Sequence, residues 1–264
     1  MGMSLTIPTT ALRAAVLELV ILTGHLLVYP TGVFAERRPA APPRGAGIPL
    51  RPAERPPVIL LHGFTDNRSV FVLLRRTLAA HGRHVESLNY SPFTTDLRTA
   101  AHRLAGYVDD VRARTGQDRV DLVGHSLGGL VARYYVQCLG GDARVRTVVT
   151  LGTPHQGTRI APLLDAHPVV RQMRPDSAVL AELRAPAPGC RTRFVAFWSD
   201  LDQLMVPVGT ARLDHPDLLT ENVQVSGVGH LALPTHPTIT ARIREVLEGD
   251  APGTAGSTDR FSVA

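Results

Sequence analysis

Apolar positions along this chain fall into short continuous runs separated by longer stretches of helical period. Val58-Ile59-Leu60-Leu61 is wholly apolar and bounded by Pro57 and by His62-Gly63, as a strand buried on both faces should be. Over residues 69–81, Val70, Leu73, Leu74 and Leu78 recur on one helical face. Residues 84–88 predict the next strand. Asp96 then stands as N-cap of a helix running to Thr115 and closed by Gly116. The run Val120-Asp121-Leu122-Val123 predicts a strand, and residues 129–136 a helix directly behind it. Residues 145–151, 193–198 and 222–228 predict three further strands, and residues 238–247 a closing helix. Strands that alternate with helices imply βαβ units and a parallel sheet, so the class is α/β. No internal repeat is evident.

The flanks lack this pattern. Residues 1–35 hold a mostly apolar stretch from Ala14 to Val28, preceded by Arg13 and followed by Val33-Phe34-Ala35. That reads as a signal peptide or membrane anchor, with an amphipathic helix retained on the mature chain as the alternative, because Glu18 and His25 interrupt the run. The corresponding localisation is secreted or membrane-associated. Residues 36–57 are rich in Pro, Arg and Ala and read as a linker, and residues 249–264 as a disordered tail. The folded domain is therefore expected over residues 58–248.

Composition changes this picture little. With 264 residues and 44% apolar content the chain can bury one sizeable core, which aliphatic side chains must fill because only 5% of residues are aromatic. The net charge of +5 raises nucleic acid as a partner, but all 28 basic residues are Arg, scattered and without interleaved aromatics. Nucleic-acid binding is excluded on that ground. Two cysteines, Cys138 and Cys190, allow one disulfide and prove none; they cannot make a Cys-rich zinc site, and no HExxH or CxxC is present. No cofactor or metal is expected.

The chemistry lies in Gly124-His125-Ser126-Leu127-Gly128, between a predicted strand and a predicted helix. A G-x-S-x-G in that context reads as a nucleophile elbow, in which the chain turns too sharply to tolerate side chains at the two glycines. Ser126 would then project at the carboxyl end of the sheet. An acyl-transfer serine needs a base, an acid that orients the base, and donors for the oxyanion. Among eleven histidines, His230 follows the last predicted core strand and occupies the last place in the order Ser, Asp, His expected for such an elbow. His62, His125 and His155 are candidates for lining the site. The acid should follow the preceding strand, where Asp200 and Asp202 both stand; Asp202, ahead of an apolar segment able to pin its loop, is favoured over Asp200. Asp214 and Asp217 read as surface caps. The backbone N–H groups of Leu127 and Phe64 are the expected oxyanion donors.

These stretches together resemble the α/β-hydrolase superfamily, and within it the bacterial secreted triacylglycerol lipases and esterases. VILLHGF, DLVGHSLGG, VVTLGTPHQGT, WSDLDQLMVP and VQVSGVGHLAL carry the resemblance, in the family's order, over roughly residues 58–248. GHSLGG is shared by many hydrolases; GTPHQGT with GVGHLAL is more particular to lipases. The resemblance implies a mostly parallel sheet flanked by helices and Ser126, Asp202 and His230 as the triad. Some relatives bind structural calcium, whose ligands do not map onto this chain. The segment at about residues 157–189, long for a simple connection and apolar among prolines, is expected to form a small cap or lid. The activity implied is hydrolysis of acylglycerol or related lipid esters, with lipid-interface contact through the N-terminal segment. An acyltransferase or polyester depolymerase would use the same residues, and a non-catalytic binding protein is the reading from another class.

Overall fold

A computed structural model of the chain describes residues 55–64, 66–90, 96–159, 167–249 and 258–262. The N-terminal apolar segment, most of the linker and residues 160–166 of the expected cap lie outside them. In chain order the elements are β1 (Val58–Leu61), α1 (Val72–Ala80), β2 (Val85–Leu88), α2 (Leu97–Thr115), β3 (Val120–His125), α3 (Leu127–Cys138) and β4 (Val145–Leu151). The short helices α4 (Pro168–Gln172) and α5 (Ala178–Arg184) follow, then β5 (Arg193–Ser199), β6 (Leu219–Ser226), α6 (Pro237–Glu248) and β7 (Thr258–Ser262). The strands form one parallel sheet in the order β2-β1-β3-β4-β5-β6-β7.

Alternation along the strands divides the core into two layers, because successive side chains point to opposite faces. Ile59, Leu61, Leu122, Val148 and Phe194 join Leu104 and Val108 of α2 and Leu130 and Val131 of α3 on one face. Val58, Leu60, Val123, Val149 and Val195 join Leu74 and Leu78 of α1 and Ile239 and Ile243 of α6 on the other. Helices on both faces explain why the central strands read as unbroken apolar runs. The chain steps from β1 to β2 in one direction and from β3 onward in the other. The order therefore reverses between β1 and β3, and the crevice beyond their carboxyl ends is where such sheets place ligands.

Local chemistry sets the element boundaries. Asp96 caps α2 by accepting from the N–H groups of Arg98 (2.9 Å) and Thr99 (3.1 Å), a contribution of about 1 kcal/mol, and Gly116 ends the helix at φ 67°. At the amino end of the sheet, Asp121 is fully buried and accepts from Arg146 Nε (3.0 Å) and Nη2 (2.8 Å) and from Arg83. Both arginines also donate to the Leu247 carbonyl, which pins the end of α6 beneath the strands. A buried carboxylate met by two guanidiniums is tolerable where either charge alone would not be.

Three expectations are corrected. The helix expected over residues 69–81 begins as a 3-10 turn at Arg68–Phe71, and the change of pitch rotates Leu73 outward to 38% exposure while Val70, Leu74 and Leu78 stay buried. The strand expected at 222–228 runs at Leu219–Ser226 instead, ended by Gly227 at φ 85°. Residues 258–262, inside the stretch expected to be a disordered tail, pair with β6 as β7. A five-residue polar strand carries no periodicity that marks it off from a tail, and it covers an edge that β6 would otherwise expose. In the segment expected to cap the site, α4 and α5 bury Val169, Val170, Met173, Val179, Leu180 and Leu183 in the same core layer as α2 and α3. Its described part is thus tied into the main core, and reaches the loop after β1 where the His167 ring meets Phe64 edge-on at 4.8 Å. Among the described residues, no helix is long and apolar enough to cross a membrane.

Candidate active site

Ser126 stands between the last residue of β3 and the first of α3, at φ 51° and ψ −118°. A non-glycine residue held at positive φ costs about 1–3 kcal/mol and persists only where its surroundings fix it. Here the Ser126 N–H donates to the Leu151 carbonyl (2.9 Å), and its own carbonyl accepts from Gly129 N–H (3.1 Å) and Thr153 Oγ1 (3.0 Å). The flanking glycines are required by contact. A Cβ on Gly124 would lie 2.5 Å from the Gly129 nitrogen, and one on Gly128 would lie 2.2 Å from the Leu61 carbonyl oxygen. The start of α3 therefore presses directly against the end of β1, with Ser126 at its N-terminus, where the helix amides favour negative charge.

The loop after β1 completes that corner. The side chain of His62 is buried, and its Nδ1 donates to the Gly63 carbonyl (2.9 Å) while its Nε2 accepts from the Tyr90 N–H (3.3 Å). These two bonds fix a neutral tautomer, in keeping with burial, which pushes the imidazole below its ordinary value. The His62 ring also stacks on Tyr90 at 4.3 Å, and the Tyr90 hydroxyl donates to the His62 carbonyl. The Gly63 carbonyl belongs to the same planar peptide as the Phe64 N–H, and the two point in opposite directions across a trans bond. By holding the carbonyl, His62 thus aims the Phe64 N–H. A Cβ on Gly63 would sit 3.4 Å from Ser126 Cβ, so the loop after β1 lies against Ser126.

Asp202 and His230, the expected acid and base, come from the loops after β5 and β6. Asp202 is 1% exposed; its Oδ1 accepts from the N–H groups of Leu204 (3.0 Å) and Met205 (3.2 Å), and its Oδ2 lies 2.8 Å from His230 Nδ1. The carboxylate thus has both oxygens occupied and one lone pair aimed at the imidazole. That contact fixes the proton on Nδ1 and leaves Nε2 as the basic nitrogen. Asp200, by contrast, is exposed and accepts from the Gly227 N–H (3.3 Å), a bond that closes the turn after β6. Of the two aspartates the sequence left in competition, only Asp202 meets His230.

His125, Ser126's neighbour, reaches the same place: its ring lies 4.7 Å from that of His230 and its Nε2 lies 3.2 Å from the His230 carbonyl. His155 differs from the other two histidines expected to line the site. It is enclosed in protein, with Nε2 against Thr150 Oγ1 (2.9 Å) and its carbonyl accepting from Arg133 (3.0 Å), and burial pushes its imidazole well below the ordinary value. It anchors the loop after β4 rather than facing substrate. Arg133, itself buried and lowered by that burial to about 10, also donates to the Leu183 carbonyl (2.7 Å), so one side chain ties α3 to that loop and to the end of α5.

Asp66, which no motif marks, touches His125 (3.2 Å). Thr153 and Gly152 lie inside the GTPHQGT stretch but were not singled out as site residues; Thr153 holds the Ser126 carbonyl, and Gly152 leaves space beneath Asp202 and His230. Gly152 sits at φ 52°, and a Cβ there would lie 2.8 Å from Asp202 Oδ2 and 2.9 Å from His230 Nδ1. Gly152→Ala is expected to strain the backbone by about 1–2 kcal/mol and to separate the acid from the base. Since a displacement of about 1 Å can cost about 100-fold in rate, turnover should fall by about that factor while the melting temperature drops by only a few degrees. Steady-state kinetics beside a thermal melt check it, and unchanged turnover would contradict the packing described.

Beside the acid's loop opens a cleft of about 390 Å³, lined mainly by Leu201, Met205, Val206, Pro207 and Val208. Among the described residues, no group of three or more His, Cys, Asp or Glu side chains could hold a metal ion.

Residues 56–184 match the family described as having the alpha/beta hydrolase fold. A triacylglycerol lipase of Burkholderia plantarii is 35% identical over 144 residues, covering 52% of this chain and 40% of that protein. A triacylglycerol lipase of Pseudarthrobacter phenanthrenivorans is 37% identical over 117 residues, covering 41% of this chain and 36% of that one. The chain therefore matches less than half the length of these relatives. Aspergillus fumigatus lipase B shares the fold at a TM-score of 0.67 and 18% identity, covering 76% of this chain and 54% of that one.

Proposed function

We propose that this chain, an α/β-hydrolase by fold and similar to bacterial lipases, is a serine carboxylic-ester hydrolase acting on acylglycerol or related lipid esters. The observation that carries the proposal is the buried Asp202–His230 pair at 2.8 Å, brought by its neighbour His125 to the strained elbow that holds Ser126.

In this reading Ser126 Oγ attacks the ester carbonyl as His230 Nε2 removes its proton, and Asp202 stabilises the imidazolium through Nδ1–H. The tetrahedral oxyanion accepts hydrogen bonds from the N–H groups of Leu127 and Phe64, each worth about 100- to 1000-fold in rate. His230 then returns the proton to the leaving alcohol. Water, deprotonated by the same nitrogen, hydrolyses the acyl-enzyme. No cofactor is needed for any of these steps. The apolar cleft beside Asp202 supports an aliphatic acyl or alcohol chain as its occupant. The apolar stretch near the N-terminus supports export or contact with a lipid surface, where such esters collect.

A series of p-nitrophenyl esters from acetate to palmitate tests this. The wild type is expected to hydrolyse them with kcat/KM rising by about fourfold per buried methylene until the cleft is filled, since each is worth about 0.8 kcal/mol. Absence of hydrolysis at every chain length would sink the proposal and favour a binding role.

A further inference from the structure

His125 stands between two hydrogen-bond acceptors. Its Nε2 is 3.2 Å from the backbone carbonyl of His230, and its Nδ1 is 3.2 Å from Oδ2 of Asp66. A carbonyl oxygen only accepts, so Nε2 must carry a proton. A neutral imidazole would then turn a bare Nδ1 lone pair towards a carboxylate oxygen, which also only accepts. One more proton is required. An imidazole nitrogen is a stronger base than a carboxylate oxygen, so the ring takes it. Both side chains are buried, His125 at 1% and Asp66 at 9% exposure, where either charge alone would be costly and the pair is not.

The groups around this pair fit that assignment. His62 is held neutral by its bonds to Gly63 and Tyr90, and burial keeps the Tyr90 phenol protonated. His230, with its ring 4.7 Å from that of His125, is committed to Asp202 through Nδ1.

We propose that His125 and Asp66 form a buried imidazolium–carboxylate pair that positions His230. The pair grips the His230 carbonyl through His125 Nε2–H and sets a positive charge beside the ring that must stay unprotonated to act as base. This role rests on the reading of His230 as the base. The protonation state of His125 does not, so the two can fail separately. His125 and Asp66 are positioning residues and touch no reacting atom.

The direct test is the nitrogen-15 spectrum of the histidine rings in the full wild-type chain at pH 7. Both nitrogens of His125 are expected at protonated shifts. A bare Nδ1 on His125, or a carboxylic acid on Asp66 in its place, would overturn the proposal whatever the enzyme's activity. The kinetic test is His125→Gln. It is expected to lower kcat by about 10- to 100-fold with little change in KM, the cost of one lost buried hydrogen bond. It should also move the acid limb of the kcat/KM profile to higher pH, because a positive charge leaves His230's side. Asp66→Asn keeps a donor towards Nδ1 and so should lose less turnover than His125→Gln, while converting His125 to a singly protonated ring. A fall in kcat with an unmoved limb would mean that His125 is merely structural.

Discussion

Ser126→Ala is expected to lower kcat on a p-nitrophenyl ester by about a million-fold, the scale on which a serine hydrolase loses its nucleophile. Removing one hydroxyl oxygen alters no packing that the elbow depends on. The turn is fixed by backbone contacts, from Ser126 N–H to the Leu151 carbonyl and from Thr153 Oγ1 to the Ser126 carbonyl, and alanine keeps both. Alanine also bears the same positive-φ strain as serine, so the melting temperature should stay within a few degrees of the wild type. The contrast between unchanged stability and lost turnover separates a catalytic hydroxyl from a structural one. Residual activity within tenfold of the wild type would show that another group is attacking the ester.

Asp202→Asn is the second large effect, expected at about 10,000-fold in kcat. An amide can present its N–H to His230 Nδ1, which then accepts, leaving the proton on Nε2 where the base should be free. The fold should survive, because the asparagine oxygen can still accept from the Leu204 and Met205 N–H groups. Asp200→Asn is the control. It touches the Gly227 N–H at the surface, and its turnover should stay within a few-fold of the wild type. Parallel kinetics on the two variants decide between them, and a large loss in the Asp200 variant with little in the other would reverse the assignment.

The aspartate choice marks how far the chain could be read from its sequence. Asp200 and Asp202 share a loop and a distance from β5, so spacing alone could only favour one. What separates them is direction: the loop turns back after Ser199, whose hydroxyl donates to the Val228 carbonyl, and this brings the loops after β5 and β6 together. The central strands were legible because helices cover both faces of the sheet, leaving Val58–Leu61 wholly apolar and Val145–Leu151 mostly β-branched and buried at all positions but Arg146. The elbow was legible for a steric reason, since two glycines around a serine have few other uses between a strand and a helix. By contrast, Asp66 meets His125 across 59 residues of chain, and no periodicity announces such a contact. Gly152 opens the GTPHQGT stretch, but its steric necessity comes from side chains that arrive from the loops after β5 and β6. The segment from 157 to 189 was read as a cap from its length and apolar content. Those features equally describe helices packed on α3, as α5 is through Arg133 and the Leu183 carbonyl.

The central claim is that Ser126 attacks and is acylated, and covalent trapping tests it most directly. Treating the wild-type chain with diethyl p-nitrophenyl phosphate should release one equivalent of p-nitrophenol, abolish esterase activity in step, and leave one diethylphosphoryl group on the peptide that carries Ser126 by mass spectrometry. Ester hydrolysis that persists without modification, or activity lost with the adduct on any other residue, would contradict the account.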